Sequence, residues 1–376
     1  MFFSFPCLLL HCPILHRRSV IIGLGLIGST LCLGMIWAFQ LMDVVHTNYA
    51  MGFALFVFAQ FIHGLFQSTG GPVNTSIMGN WFPKKGRGLI FGLWTCHQYV
   101  GDIVSGLATA AIINAGFAWQ WALVVPALAN GIWGVVNFIY LPNTPAEVGI
   151  ETEEERASKA QQKSSGDAPA GTIGFMQALM IPNVLGYATA FGFFKFVNYA
   201  MFFWLPFFLS IHFDPESANV ISSLYSVGMM PGGVVVGWVS DIFGGRRACV
   251  IAVFMAFLAP LLWFFALYSD TMNPILLLFL LCIMGILVGG PNNIITSAVA
   301  ADLAEHPTVK KYRGLGTVTG IINGSGSITA ALGLMLIGPL QEMGGWTAVW
   351  YFLIACVITG TALMGPKIYK EITVGA

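Results

Sequence analysis

The sequence predicts an all-α membrane protein that crosses the bilayer about ten times. Of its 376 residues, 57% are apolar and only 9% are charged. A soluble domain carries roughly 25% charged residues, so much of this surface must face lipid. The apolar residues gather in runs that reach or exceed the ~20 residues a spanning helix needs. These runs lack the apolar–polar alternation of barrel strands. Once the runs are counted, the basic residues sort cleanly by side of the bilayer.

The candidate spans cover residues 19–39, 49–77, 88–115, 121–141, 184–211, 218–239, 248–268, 274–299, 315–338 and 346–366. With the connections numbered alternately, every Lys and Arg except Lys195 falls on one side. The ionised groups opposite are Asp43, Asp214, Glu216, Asp270 and Glu342. By the positive-inside rule the basic side is cytosolic, and both termini with it. Residues 1–18 form an apolar leader too short to span and without the basic start of a signal peptide. The expected organisation is this leader, a four-span bundle over 19–141, a polar cytosolic linker over 142–182, and a six-span bundle over 183–376. The formal net charge is zero and the seven cysteines show no CxxC spacing. Neither nucleic acid, nor a metal, nor another cofactor is expected.

Two segments repeat. Gly70-Gly71-Pro72-Val73-Asn74 lies late in the second span, and Gly289-Gly290-Pro291-Asn292-Asn293 lies late in the eighth. Each precedes a basic loop ending in Arg-Gly (Arg87-Gly88 and Arg313-Gly314), which opens the next span. The match pairs spans one to four with spans seven to ten. Two symmetric halves would need six helices each, so the first half reads as lacking its first two. On that reading the chain alone is expected to transport poorly. Gly23-Leu24-Gly25-Leu26-Ile27-Gly28 fits a dinucleotide fingerprint but sits inside an apolar run. There its glycines are expected to serve helix packing.

Polar residues on two spans recur at helical spacing. Gln60, His63, Gln67, Gly71 and Asn74 share one face of the second, and Thr95, Gln98, Asp102, Ser105 and Thr109 one face of the third. Such stripes face a water-filled cavity or a partner helix; His97 lies off its stripe. Lys195 is the single basic residue inside a span. It lies about eleven residues, or roughly 17 Å, from the cytosolic end of its helix. A charge at that depth costs ~2.5–3.5 kcal/mol on insertion scales. A phosphate dianion offsets that cost, and so does an ion pair with Asp102 at similar depth. Asn198 and Tyr199 follow within a turn as further donors.

The loop Gly237-Trp238-Val239-Ser240-Asp241-Ile242-Phe243-Gly244-Gly245-Arg246-Arg247 resembles the signature of the major facilitator superfamily. Gly237, Asp241, Gly244 and Arg246 fall in matching places, while Ile242 and Gly245 replace the usual basic residues. The resemblance implies that Asp241, Arg246, Arg247 and Arg87 latch a cytosolic gate. Taken alone, the loop is a tight basic turn that fixes topology. The second and third spans are similar to those of the organophosphate:phosphate antiporters, which exchange glycerol 3-phosphate or sugar phosphates. The shared features are Gln67, Gly71-Pro72, Trp81, Arg87-Gly88, Trp94 and Val100-Gly101, followed by Gly289 to Asn293 and Arg313-Gly314. Thr95, Gln98 with His97 beside it, and Asp102 depart from the family pattern.

What the resemblance implies is a non-enzymatic, monomeric carrier of the major facilitator type. It would exchange a phosphorylated metabolite for inorganic phosphate by alternating access. Lys195, His63, Gln67, His97, Gln98, Asp102, Asn198 and Tyr199 are the candidate substrate contacts. The membrane would be the plasma membrane or the endoplasmic reticulum. A non-transporting regulatory chain and a carrier of another organic anion stay open as alternatives.

Overall fold

A computed structural model describes residues 18–42, 47–82, 87–150, 173–268, 273–306 and 314–373. The leader, the linker stretch 151–172 and the basic loops holding Lys84, Lys85, Lys310, Lys311 and Arg313 lie outside the described residues, as does the side chain of Arg87. Among the described residues there is no β-strand. The helices in chain order are α1 (Arg18–Leu41), α2 (Tyr49–Gln67), α3 (Gly70–Trp81), α4 (Arg87–Asn114), α5 (Trp121–Tyr140), α6 (Phe175–Leu179), α7 (Val184–Leu209), α8 (Pro215–Ile242), α9 (Arg247–Tyr268), α10 (Pro274–Ile294), α11 (Ala300–Ala304), α12 (Leu315–Leu363) and α13 (Gly365–Thr373).

Among the described residues eight helical runs are long and apolar enough to cross a membrane. The α4 helix is not one of them, because its polar stripe lowers its hydropathy. The α12 run has 49 residues, roughly 74 Å at 1.5 Å per residue, more than twice a ~30 Å hydrocarbon core. It breaks at Gly344 and Gly345, the latter at φ 64° and ψ −170°, a backbone conformation that needs glycine. Counting α4, and α12 as two arms, recovers the segments read from the sequence.

Both Gly-Gly-Pro segments disturb their helices. Proline has no N–H and its ring collides with the carbonyl four residues back. Pro72 accordingly follows a break at Ser68 and Thr69 that separates α2 from α3. Pro291 sits inside α10, which runs into a π-helical turn at Ile295–Val299 and then α11.

The chain divides into two units. Unit 1 comprises Met1–Pro83 and Ala108–Phe175. In it α1 packs chiefly on α5 and α2. Gly23 permits this approach: a Cβ there would lie 2.8 Å from the Cβ of Phe138. The glycine motif of α1 thus serves packing. At one end Asn143 ties three segments together. Its side-chain oxygen accepts from Ser19 N (2.9 Å), its carbonyl accepts from Asn80 Nδ2 (3.0 Å), and its own N–H donates to Glu147 (3.0 Å).

Unit 2 comprises Lys84–Leu107 and Met176–Ala376. In it α7 packs on α12, α8 on α10, and α9 on both α10 and α12. The α8 and α10 backbones touch directly. A Cβ at Gly228 would lie 2.0 Å from the carbonyl oxygen of Cys282, and one at Gly285 2.1 Å from that of Tyr225. The first part of α4 approaches α8 in the same way, with a Cβ at Gly92 only 2.7 Å from the carbonyl oxygen of Gly233.

Candidate functional site

In unit 2 the α7 helix is largely apolar, with Lys195 its one charged residue. Lys195 is 5% exposed. Its ammonium donates to the side-chain oxygen of Asn323 (2.6 Å), to the backbone oxygen of Asn323 (3.2 Å) and to Ser327 Oγ (2.8 Å), all on α12. It also lies 5.7 Å from the ring centroid of Phe191 and 5.3 Å from that of Tyr199, within cation–π range. Gly326 leaves room for the lysine stem: a Cβ there would fall 3.1 Å from Lys195 Cδ. All three N–H donors are matched by neutral acceptors. The geometry is satisfied, yet no counter-charge pairs with the ammonium among the described residues.

The ion pair with Asp102, one of the two expectations, is not formed. Neither Lys195 nor Asp102 enters an ion pair among the described residues. Asp102 instead accepts a 2.5 Å hydrogen bond from Ser226 Oγ of α8. The residue before Ser226, the fully buried Tyr225, donates to Asn198 Oδ1 at 2.9 Å. Asn198 therefore stands one turn past Lys195, held toward α8.

A second polar cluster joins α4 to α10. Tyr99, buried, donates to Asn293 Oδ1 at 2.8 Å. The amide nitrogen of Asn293 is buried with no hydrogen-bond partner, so it retains donors for an incoming acceptor. Thr95 packs beside it across Gly233. Tyr99 also lies within electrostatic range of Tyr199 and Asp102, which places these groups in one region of unit 2.

The other candidates lie elsewhere. His97 is exposed, bonded to its own helix at Trp94 O, with its ring tilted against that of Trp94 at 5.1 Å. Gln98 is exposed. In unit 1 the α2 stripe holds together: His63 bonds Gln60 at 3.3 Å and Gln67 at 3.0 Å.

At the turn from α8 to α9, Gly244 and Gly245 have φ of 71° and 84°, which only glycine adopts cheaply. The turn is tight enough for Arg247 to reach back. Its Nη1 donates to Ser240 Oγ (3.0 Å) and to Asp241 Oδ1 (3.4 Å), while its Nε pairs with Asp302 at 2.5 Å. The other oxygen of Asp241 accepts from Leu89 N, 3.3 Å away, where the α4 N-terminus offers free N–H groups. Arg246 is exposed. Nearby, Glu371 of α13 accepts from Ala248 N (3.0 Å) and Cys249 N (2.9 Å), capping α9. Lys367 of α13 lies over Tyr187, 4.7 Å from its centroid; burial pushes its pKa below the usual lysine value.

Sequence reasoning missed Asn323, Ser327, Tyr225, Ser226 and Tyr99. Asn323 and Ser327 stand four apart in an apolar run, the same signal that marked the other stripes. Tyr99 and Tyr225 carry no sequence signal, because tyrosine is common in membrane helices.

A helical membrane bundle with an uncompensated ammonium halfway along a span has the makings of a solute carrier. The Major Facilitator Superfamily profile matches residues 14–315 and 210–371. The chain belongs to that superfamily, and is a carrier rather than an enzyme. Its relatives include sugar phosphate exchanger 3 of Gallus gallus, 35% identical, with 83% of this chain and 66% of that protein covered. Glucose-6-phosphate exchanger SLC37A2 of Xenopus tropicalis is 34% identical over 84% and 68%. An Arabidopsis thaliana protein named as a candidate glycerol-3-phosphate transporter is 34% identical over 94% and 70%. The chain thus spans about two thirds of these relatives' length. Among solved structures, the human organic anion transporter MFSD10 superposes with a TM-score of 0.58 at 15% identity, covering 92% of this chain and 82% of that one. At that identity the likeness speaks for the fold.

Proposed function

We propose that the chain carries a phosphorylated small metabolite, glycerol 3-phosphate or a sugar phosphate, across a membrane in exchange for inorganic phosphate. The observation that carries this reading is Lys195, a buried ammonium whose hydrogen bonds go to neutral acceptors only. An anion supplies the missing charge, and release follows because lysine offers a point charge rather than arginine's two-pronged fork. Asn198, Tyr199 and the free amide donors of Asn293 are further contacts in the same unit. His63, Gln67, His97 and Gln98 are proposed as weaker contacts from their stripes. The names of the curated relatives support an organophosphate substrate. Asp241 and Arg247, together with Arg246 and Arg87, are proposed as the cytosolic latch. The protein acts as a monomer in the plasma membrane or the endoplasmic reticulum, with both termini cytosolic.

The test is counterflow in proteoliposomes. Vesicles loaded with phosphate should take up radiolabelled glucose 6-phosphate or glycerol 3-phosphate slowly, yet faster than empty ones. Equal uptake by loaded and empty vesicles overturns the exchange.

A further inference from the structure

We infer that Asp102, held by Ser226, selects substrates whose non-phosphate end is neutral and hydroxyl-bearing over those whose far end is anionic. This rests on the reading of Lys195 as the phosphate contact.

Asp102 is a carboxylate in the middle of α4, exposed, with one hydrogen bond from Ser226 and no cation beside it among the described residues. A charge inside a membrane span is retained where it faces water or a partner and does work. An ionised carboxylate accepts hydrogen bonds and donates none, so what it recruits is a donor. It also disfavours any second negative charge nearby. Asp102 is thus unsuited to the phosphate group itself and suited to an alcohol.

The structure connects the two charged groups without letting them neutralise each other. Lys195 is followed after one turn by Asn198, Asn198 takes the hydroxyl of Tyr225, and Tyr225 adjoins the Ser226 that holds Asp102. Asn323 and Ser327 hold the ammonium, and Ser226 holds the carboxylate. A ligand that engages both would meet a cation and an acceptor in fixed order. Its phosphate goes to Lys195 and its hydroxyls go to Asp102. A phosphorylated acid placed in the same way sets its carboxylate against Asp102.

Glycerol 3-phosphate and 3-phosphoglycerate make the comparison clean, because a primary alcohol in one is a carboxylate in the other. Binding of each to the purified full chain is measured by titration calorimetry, for the wild type, Asp102→Asn and Ser226→Ala. The wild type should favour glycerol 3-phosphate by about tenfold or more, the size of one charge-assisted hydrogen bond. In Asp102→Asn the preference should collapse to within roughly threefold, chiefly because 3-phosphoglycerate binds more tightly. Ser226→Ala keeps the charge but frees the carboxylate, so it should still reject 3-phosphoglycerate while binding glycerol 3-phosphate several-fold more weakly. If Asp102→Asn cannot be purified folded, the Ser226→Ala pattern decides alone. A wild type indifferent to the two ligands, or a preference unchanged in Asp102→Asn, overturns the inference. Failure of the underlying reading looks different: Lys195→Ala would then bind both ligands as the wild type does.

Discussion

Lys195 was legible in the sequence because a lone ammonium in an apolar run carries a cost that something must offset. Its surroundings were not legible. Asn323 and Ser327 lie 128 and 132 residues away, and only the packing of α7 on α12 brings them together. The same holds for Asp102. Depth along two helices made it a plausible partner for Lys195, but depth leaves the direction of each side chain open. In the fold Ser226 takes Asp102 instead. The site predicts a graded response to substitution. Lys195→Ala removes a charge-assisted contact worth about 1.5–3 kcal/mol, so phosphate affinity should fall roughly ten- to hundredfold. Lys195→Arg keeps the charge and should keep a measurable fraction, since Asn323 and Ser327 offer acceptors to any cation. Binding of radiolabelled phosphate to the purified variants checks both; undiminished binding by Lys195→Ala would remove this residue from the site.

At the scale of elements, periodicity and punctuation located the helices well. The two Gly-Gly-Pro segments were legible as a repeat, but their different outcomes were not. In one the helix breaks, and in the other it continues through the proline and turns π-helical just beyond it. That choice depends on what surrounds each proline, which sequence spacing does not encode. The short α13 helix was also unread, since 365–373 is too polar to span and lies where a tail is expected. Its Glu371 caps the N-terminus of α9 with both carboxylate oxygens. Capping interactions of this kind contribute ~0.5–2 kcal/mol, reinforced by the positive end of the helix dipole. Glu371→Gln should therefore lower thermal stability in detergent by an amount in that range, while Glu371→Asp should lose less. A melting temperature unchanged in Glu371→Gln would show that α13 docks by its other contacts alone.

For the whole molecule, the asymmetry of Lys and Arg carried most of the information. It predicts a number and a direction of crossings without reference to any helix, because hydrophobicity and charge act over whole segments and need no atomic detail. A reporter tag inserted within 151–163 should be accessible from the cytosol, and one beside Asp270 from the opposite face. Accessibility of both from the same side would require a different count of spans. What charge asymmetry does not reveal is how helices group. The first part of the third span, up to Leu107, groups with the later helices, because glycines and paired polar side chains draw α4 onto α8 and α10.

The glycine contact of α8 with α10 has a mechanical meaning. Where two backbones meet with no side chains between them, there is nothing to re-pack and no alternative fit to slide into. The joint is keyed, and the two helices travel as a single stiff plate. Ser226 belongs to α8 and Asn293 to α10, so the two hydrogen bonds that grip α4, at Asp102 and at Tyr99, are fastened to the same plate. A force that tilts the plate reaches α4 at two points at once, as torque rather than as a local tug. The Asp102 carboxylate is in this way fixed to the plate itself.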